Sequence, residues 1–223
     1  MIPSKISRRR FLRKAASVTA GSIGLPYVVA ASALGKNGSV PPSSRITMAS
    51  IGVGGMGTND MRAFLGQSDV QVVAVCDVVT ANNEYGHWYK NGWHGPWFGR
   101  ESARKIVEDY YAQKNQSGQF RGCDAYIDFR NIIDRDDIDA VCVATPDHWH
   151  AIPVIMAAKT GKSIYCEKPL SLTVAEGRAM ATAVERYGVI FQTGTQRRSS
   201  ELFRFVCELI RNGRIGRLKK IAT

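Results

Sequence analysis

The chain of 223 residues is long enough for one domain and part of a second, since domains commonly run to about 100–200 residues. Its 44% hydrophobic and 22% charged residues are typical of a globular protein and exclude a disordered, collagen-like or polytopic membrane chain. The net charge is +11, but residues 1–33 carry six basic side chains and no acid, which leaves 24 basic and 19 acidic side chains elsewhere. That mild, dispersed surplus favours a solvated surface over a nucleic-acid-binding face, so we expect no nucleic-acid partner.

The amino terminus has the features of an export signal. Ser7-Arg8-Arg9-Arg10-Phe11-Leu12-Arg13 resembles the twin-arginine pattern Ser/Thr-Arg-Arg-x-Phe-Leu-Lys, with Arg in place of the final Lys. An uncharged stretch from Ala15 to Leu34 follows, and Ala31-Ser32-Ala33 offers a small-x-small cleavage site. The alternatives are a nucleic-acid-binding arm and an uncleaved anchor, although the Gly, Ser, Thr and Pro content makes a poor membrane span. We expect residues 1–33 to engage the twin-arginine export machinery, which carries folded proteins to the periplasm or another extracytoplasmic compartment, and residues 34–44 to form a linker.

After the linker, short apolar runs alternate with helical patterns. Strands are predicted at Ile46–Val53, Val70–Cys76, Ala125–Ile127, Ala140–Thr145, Ser163–Cys166, Val189–Thr193 and Leu218–Thr223. Helices are predicted at Met56–Leu65, Ser102–Lys114 with Ser102 as its cap, Phe129–Asp134, Ala151–Lys159, Val174–Tyr187 before Gly188, and Glu201–Asn212 before Gly213. Strands separated by helices indicate parallel pairing, so the predicted fold class is α/β, a doubly wound parallel sheet.

A tryptophan-rich insertion at residues 80–100 interrupts this alternation. Its segment 82–99 holds three of the four tryptophans and two of the four histidines. A loop this long is uncommon in a compact domain unless it is functional or disordered. An aromatic lid or sugar-stacking platform is one interpretation, and a satellite cluster or subunit contact is the other.

The five cysteines give no sign of a metal site. They are an odd number and form no Cys-x-x-Cys pair, so metal-ligand spacing is absent and no metal is expected. Cys76, Cys142 and Cys166 lie in apolar runs that are predicted as strands, and we expect them to be buried and inert.

The glycine motif Gly52-Val53-Gly54-Gly55-Met56-Gly57 fits Gly-x-Gly-x-x-Gly and lies between a predicted strand and a predicted helix. Gly52 allows a tight turn, Gly54 leaves room for a pyrophosphate, and Gly57 lets the helix pack closely on the strand. Asp77 ends the next strand, where its carboxylate would accept hydrogen bonds from the adenosine ribose and repel a 2′-phosphate. The motif therefore predicts a dinucleotide site that prefers NAD over NADP, with a nucleotide-free glycine turn as the alternative.

Three polar segments follow predicted strands: Thr145-Pro146-Asp147-His148-Trp149-His150, Glu167-Lys168-Pro169 and Gly194-Thr195-Gln196-Arg197-Arg198. Ligands of open α/β sheets bind off the carboxyl ends of the strands, so these segments are expected to converge on the cofactor cleft.

With these motifs the chain, from about Arg45 onward, resembles the glucose–fructose oxidoreductase/inositol dehydrogenase (Gfo/Idh/MocA) family. Residues 144–150 (Ala-Thr-Pro-Asp-His-Trp-His) and 165–170 (Tyr-Cys-Glu-Lys-Pro-Leu) carry the resemblance. It implies an amino-terminal Rossmann domain at 45–198, followed at 199–223 by only the start of a second α/β domain that covers the nicotinamide. It also implies a sugar or polyol substrate, hydride transfer, and possible homo-oligomerisation through the second domain.

The resemblance assigns roles to individual residues. The glycine turn (Gly52, Gly54, Gly55, Met56 and Gly57) would hold the pyrophosphate and Asp77 the ribose. The predicted nicotinamide side consists of Thr145, Pro146, His150, Glu167, Lys168, Pro169, Gln196 and Arg197. Lys168 and His150 are the catalytic candidates: a buried Lys168 ammonium would polarise a carbonyl or activate a substrate hydroxyl. Pro169 is expected to follow a cis peptide that directs Lys168 into the cleft, and a surface lysine is the competing interpretation.

Other members of the family carry a catalytic Asp-x-x-x-His or related motif in the second domain, and no such motif follows Arg198. The sequence is therefore interpreted as a fragment or a cofactor-binding half. Three functions stay open: an NAD-dependent dehydrogenase, an NAD-assisted glycosidase of the same family, and a truncated NAD-binding module without activity.

Overall fold

The computed structural model describes residues 40–81, 98–115 and 117–221. The twin-arginine segment, its cleavage site and the tryptophan-rich residues 82–97 lie outside the described residues. The chain divides into two units at residue 42, and the fold that follows is that of Ser43–Thr223.

Six strands and six α-helices alternate through the described residues of this unit. The strands are β1 (Ile46–Ile51), β2 (Val70–Cys76), β3 (Asp124–Tyr126), β4 (Ala140–Val143), β5 (Ser163–Glu167) and β6 (Phe191–Gly194). The helices are α1 (Gly55–Leu65), α2 (Arg100–Lys114), α3 (Arg130–Ile133), α4 (Ala151–Lys159), α5 (Val174–Tyr187) and α6 (Glu201–Arg211). Short 3-10 turns precede β1 (Pro42–Ser44), α4 (Asp147–Trp149) and α6 (Gln196–Ser199).

The strands form one sheet in the order β3-β2-β1-β4-β5-β6, and every neighbouring pair is parallel. This confirms the predicted doubly wound α/β fold. The order reverses between β1 and β4, because the chain fills one half of the sheet before crossing to the other. Such a reversal opens a crevice at the carboxyl ends of the two strands, where open α/β sheets bind ligands.

Two apolar clusters fix the helices against the sheet. The smaller cluster packs Met61 and Leu65 of α1 and Val107 of α2 against Val72 and Val75 of β2. The larger cluster packs α4 and α5 against side chains of β1, β2, β4 and β5. Burial on both sides explains why strands such as Val70–Cys76 are apolar almost throughout.

Helix α5 shows how local sequence sets its ends. Thr173 accepts a hydrogen bond from the backbone N–H of Glu176, whose side chain accepts from the backbone N–H of Thr173, a complete capping box. Gly188 ends the helix at φ 64°, a left-handed conformation that glycine adopts without steric cost. The predicted bounds of this helix are confirmed.

Two predicted features are corrected. Helix α2 begins at Arg100, so Ser102 lies inside its first turn and Gly99 is the cap. Residues 218–221 form no strand, because within the described part of the chain no neighbouring strand pairs with them. Elsewhere the predicted strand and helix ends agree with the structure to within two residues.

The described residues contain no helix long and apolar enough to cross a membrane.

Candidate cofactor-binding site

The glycine turn between β1 and α1 is shaped by close backbone approaches. Gly52 has φ +83°, and a Cβ atom there would lie 2.6 Å from the backbone N of Thr145. A Cβ at Gly57 would lie 1.8 Å from the carbonyl oxygen of Gly52, so the helix approaches the strand as closely as glycine permits. The first and third glycines of the motif are therefore required by the fold itself.

Gly54 differs from both of its neighbours in the motif. It has φ −70°, and a Cβ built on it meets no atom within 4 Å. The space beside Gly54 is open and faces the first turn of α1, whose leading N–H groups have no partner within the helix. Open space at an N–H-rich helix start fits a pyrophosphate group.

Asp77 lies just beyond the carboxyl end of β2 and reaches back to the glycine turn. Its Oδ2 accepts a hydrogen bond of 2.9 Å from the N–H of Val53, and its Oδ1 accepts one of 2.9 Å from the N–H of Val79. Each carboxylate oxygen has a further lone pair, so the fixed carboxylate can also accept from ribose hydroxyls.

A cleft of about 630 Å³ runs along the carboxyl ends of β1, β2, β3 and β4. Eight of the predicted binding residues line it: Gly52, Gly54, Gly55, Met56, Gly57, Asp77, Thr145 and Pro146. Its volume lies within the range of about 300–1,000 Å³ that is usual for ligand pockets.

Some lining residues were not predicted as binding residues. Ile127, Asp128, Phe129 and Arg130 follow β3 and form one wall, and His148 and Trp149 contribute at the far end. The sequence signal that could have identified them is their position after a predicted strand, at the edge of the sheet where cleft residues are expected.

Thr145 supplies a second indication that the cleft is built for a polar ligand. Its hydroxyl Oγ1 is buried and has no hydrogen-bond partner within the described residues. A buried hydroxyl without a partner costs free energy, so such an atom in a cleft wall marks a place where a ligand can supply the partner.

His150 is 1% exposed and lies behind the cleft wall. Its Nδ1 is 2.7 Å from the carbonyl oxygen of Pro169, and its Nε2 is 2.7 Å from the carbonyl oxygen of Thr145. The ring joins the segment after β4 to the segment after β5, and neither nitrogen is left for a substrate. The catalytic role of His150 stays a prediction, but the geometry favours a positioning role.

The residues after β5 and β6 form a second group beside the cleft, and none of them lines it. Gln196 donates a hydrogen bond of 2.7 Å from Nε2 to Oε1 of Glu167, and the same nitrogen lies 3.5 Å from Sδ of Met56 in the glycine turn. Gln196 thereby links this group to the cleft. Arg197 is exposed and lies over the ring of Phe203, 5.5 Å from its centroid.

The Lys168–Pro169 peptide is cis, as the resemblance implied. The side chain of Lys168 is exposed rather than buried, and its ammonium makes no hydrogen bond or ion pair within the described residues. An ammonium without a protein partner is free to meet a ligand or a further part of the protein.

The predicted inert cysteines are all buried. Burial raises the pKa of Cys76 and of Cys166 to about 12, and burial raises that of Cys142 as well. All three are thiols at neutral pH and poor nucleophiles. No group of His, Cys, Asp and Glu side chains among the described residues could hold a metal ion.

The sheet order, the glycine turn and the acid after β2 together define a dinucleotide-binding Rossmann domain. Residues 92–195 match the model of an oxidoreductase family described as having an NAD-binding Rossmann fold, the Gfo/Idh/MocA family. The matched residues lie within this Rossmann domain and make up just under half of the chain.

Curated relatives include both dehydrogenases and glycosidases. A levoglucosan dehydrogenase of Pseudarthrobacter phenanthrenivorans is 41% identical over 91 residues, 41% of this chain and 23% of that protein. An alpha-N-acetylgalactosaminidase of Shewanella oneidensis is 30% identical over 193 residues, 81% of this chain and 37% of that protein. The chain thus spans well under half of these relatives.

Solved structures agree on the fold. Myo-inositol 2-dehydrogenase from Lactobacillus plantarum has a TM-score of 0.54 and 25% identity, over 78% of this chain and 43% of that one. Scyllo-inositol dehydrogenase from Lactobacillus casei, solved with NAD(H) and scyllo-inositol, has a TM-score of 0.54 and 21% identity, over 77% of this chain and 42% of that one.

Proposed function

We propose that this chain supplies the NAD-binding half of an oxidoreductase that acts on a sugar or polyol by hydride transfer. The observation that carries the proposal is the open space at Gly54 beside the fixed carboxylate of Asp77, which together match a pyrophosphate and its neighbouring ribose. The match to inositol and levoglucosan dehydrogenases supports the substrate class.

In this proposal NAD, when bound, supplies the hydride acceptor or donor. The glycine turn and the start of α1 bind the pyrophosphate, and Asp77 binds the adenosine ribose and disfavours NADP by charge repulsion. Thr145 and Pro146 line the nicotinamide side and Glu167 faces its ribose. Lys168 would direct its ammonium at the substrate oxygen, where the positive charge would polarise a carbonyl or make a hydroxyl more acidic.

The test is direct titration of the 223-residue chain with NAD and NADP by isothermal calorimetry. We expect binding of one NAD per chain and weaker binding of NADP. The absence of heat with either nucleotide, from protein shown to be folded, would overturn the proposal.

An NAD-assisted glycoside hydrolase is the second candidate. The alignment to the alpha-N-acetylgalactosaminidase covers 81% of this chain, against 41% for the levoglucosan dehydrogenase. Protein isolated from its host distinguishes the two functions. A dehydrogenase changes the nicotinamide absorbance in proportion to the sugar that it consumes. The glycosidase releases an aglycone without a net change in the nicotinamide absorbance.

We also propose export by the twin-arginine route, on the strength of residues 7–13 and the cleavage site Ala31-Ser32-Ala33. The test compares the native chain with the double variant Arg8→Lys and Arg9→Lys in fractionated cells. A mature form starting near Leu34, found outside the cytoplasm for the native chain alone, is the expected result. Equal export of both chains contradicts it.

A further inference from the structure

Two carboxyl groups are buried together beside the cofactor cleft. Asp60, on the second turn of α1, is 7% exposed, and Glu167, at the end of β5, is 4% exposed. Helix α1 and strand β5 pack together here, since the ring centroid of Phe64, one turn after Asp60, lies 5.4 Å from that of Tyr165, two residues before Glu167. This packing brings the two carboxyl groups within reach of each other. Among the described residues neither forms an ion pair with a Lys, Arg or His side chain.

Glu167 is held by donors on both of its oxygens. Oε1 accepts from Nε2 of Gln196 at 2.7 Å, and Oε2 accepts from the backbone N–H of Lys168 at 3.1 Å. Gly194 makes room for it, since a Cβ there would lie 2.6 Å from Oε1. Both oxygens of this carboxyl therefore already act as hydrogen-bond acceptors.

Asp60 has the opposite environment. Its Oδ2 is buried and meets no donor within the described residues. A hydrogen bond between two carboxyl groups requires a proton on one of them, and the group without donors is the one that keeps it. Burial, and then the nearby charge of Glu167, raise the pKa of Asp60 to about 7, while the ammonium of Lys168 acts in the opposite direction.

The other titratable groups that face the pair do not supply a charge at neutral pH. Cys142 on β4 and Tyr165 on β5 both have their pKa raised by burial and by the two carboxyls, and burial and Glu167 raise the pKa of Cys166 on β5. Among the described residues, Lys168 is the cation whose charge acts on Asp60.

We propose that Asp60 is a positioning residue that carries a proton on the acid side of neutrality and hydrogen-bonds through it to Glu167, fixing the carboxylate that faces the nicotinamide ribose. The inference rests on the proposed function for the role of Glu167. The proton stays within the pair and no bond to carbon changes. Loss of this proton leaves two adjacent buried carboxylates, whose repulsion moves Glu167 away from its donors and weakens NAD binding.

The first measurement is the NAD dissociation constant of the chain by calorimetry between pH 6 and pH 8. The protonated fraction of a group that titrates at about 7 falls from about nine tenths to about one tenth over this range, so NAD should bind about tenfold more weakly at pH 8. In Asp60→Asn the side chain is an uncharged hydrogen-bond donor at every pH, so the NAD dissociation constant should change by less than about twofold between pH 6 and pH 8. Asp69→Asn, the same substitution at an exposed carboxylate, should retain the tenfold dependence.

The second measurement detects the proton without NAD. Infrared difference spectra of the native chain should show the carbonyl stretch of a protonated carboxylic acid at pH 6 that disappears by pH 8. The band should be absent from Asp60→Asn and present in Asp69→Asn. The native spectrum alone keeps the proposal falsifiable if Asp60→Asn does not fold.

The outcomes separate the two proposals. A native chain without the carboxylic acid band at pH 6, or an Asp60→Asn chain whose NAD binding varies with pH as the native chain's does, overturns the role of Asp60. If the carboxylic acid band is present but NAD does not bind at any pH, the proposed function is overturned, and so is the positioning of Glu167 for a ribose. The proton shared by the two carboxyls is then still established.

Discussion

The carboxylate of Asp77 accepts a hydrogen bond of 2.9 Å from the backbone N–H of Val53, within the glycine turn. The residue predicted to bind a ribose therefore also shapes the turn predicted to bind the pyrophosphate. Its second oxygen holds the N–H of Val79. One side chain thus couples the two halves of the nucleotide site, and its removal should affect both.

Asp77→Ala should weaken NAD binding by about tenfold or more, since hydrogen bonds to a charged group contribute about 1.5–3 kcal/mol each. NADP binding should weaken less, because the repulsion of its 2′-phosphate is lost as well. Calorimetry with both nucleotides measures the two constants, and Asp69→Ala is the control. An unchanged ratio of NAD to NADP affinity would mean that Asp77 does not meet the ribose.

Substitutions at Gly54 and Gly57 should separate an effect on NAD binding from an effect on the stability of the fold. Gly54→Val adds a side chain in open space at an ordinary φ of −70°, so the melting temperature should change little while NAD binding is lost. Gly57→Ala forces a Cβ to within 1.8 Å of the Gly52 carbonyl, so it should destabilise the fold by about 2 kcal/mol or more. Thermal unfolding and NAD titration of both variants check this; Gly54→Val chains that bind NAD normally would contradict the cleft assignment.

His150→Ala should destabilise the domain by about 2–4 kcal/mol, because it leaves a cavity and removes the ring that bridges the carbonyl oxygens of Thr145 and Pro169. Chemical denaturation of the native and variant chains measures this difference. His148→Ala, an exposed histidine two residues away, is the control and should be nearly neutral. Equal stability of all three chains would show that the hydrogen bonds to Thr145 and Pro169 do not support the fold.

Lys168→Ala should lower turnover far more than NAD affinity in protein isolated from its host, because its ammonium has no protein partner to lose within the described residues. Lys159→Ala, an exposed lysine at the end of α4, is the matched control for loss of one positive charge. Steady-state kinetics and NAD titration give the two quantities. Equal losses of turnover and affinity would make Lys168 a cofactor-binding residue only.

Much of the secondary structure could be predicted from the sequence, because the signals for strands, helices and turns are local. The apolar run Val70–Cys76 and the helices Ala151–Lys159 and Val174–Tyr187 have the predicted bounds, the last because its capping box and glycine stop lie within the segment. The glycine motif likewise carries its own steric requirement. The prediction of a strand failed where pairing depends on a distant contact. The run from Leu218 has the composition of a strand, but no strand pairs with it in the described part of the chain.

The tertiary structure alone decided how the site is held together. Nothing near Asp60 marks it in the sequence, since its importance comes from Glu167, which lies 107 positions later and meets it only when α1 packs beside β5. His150 is a predicted catalytic candidate, and only the fold shows that its ring lies between two carbonyl oxygens from different strand ends. Burial and hydrogen-bond partners depend on which elements meet, and those two properties set the protonation state and the role of a polar side chain.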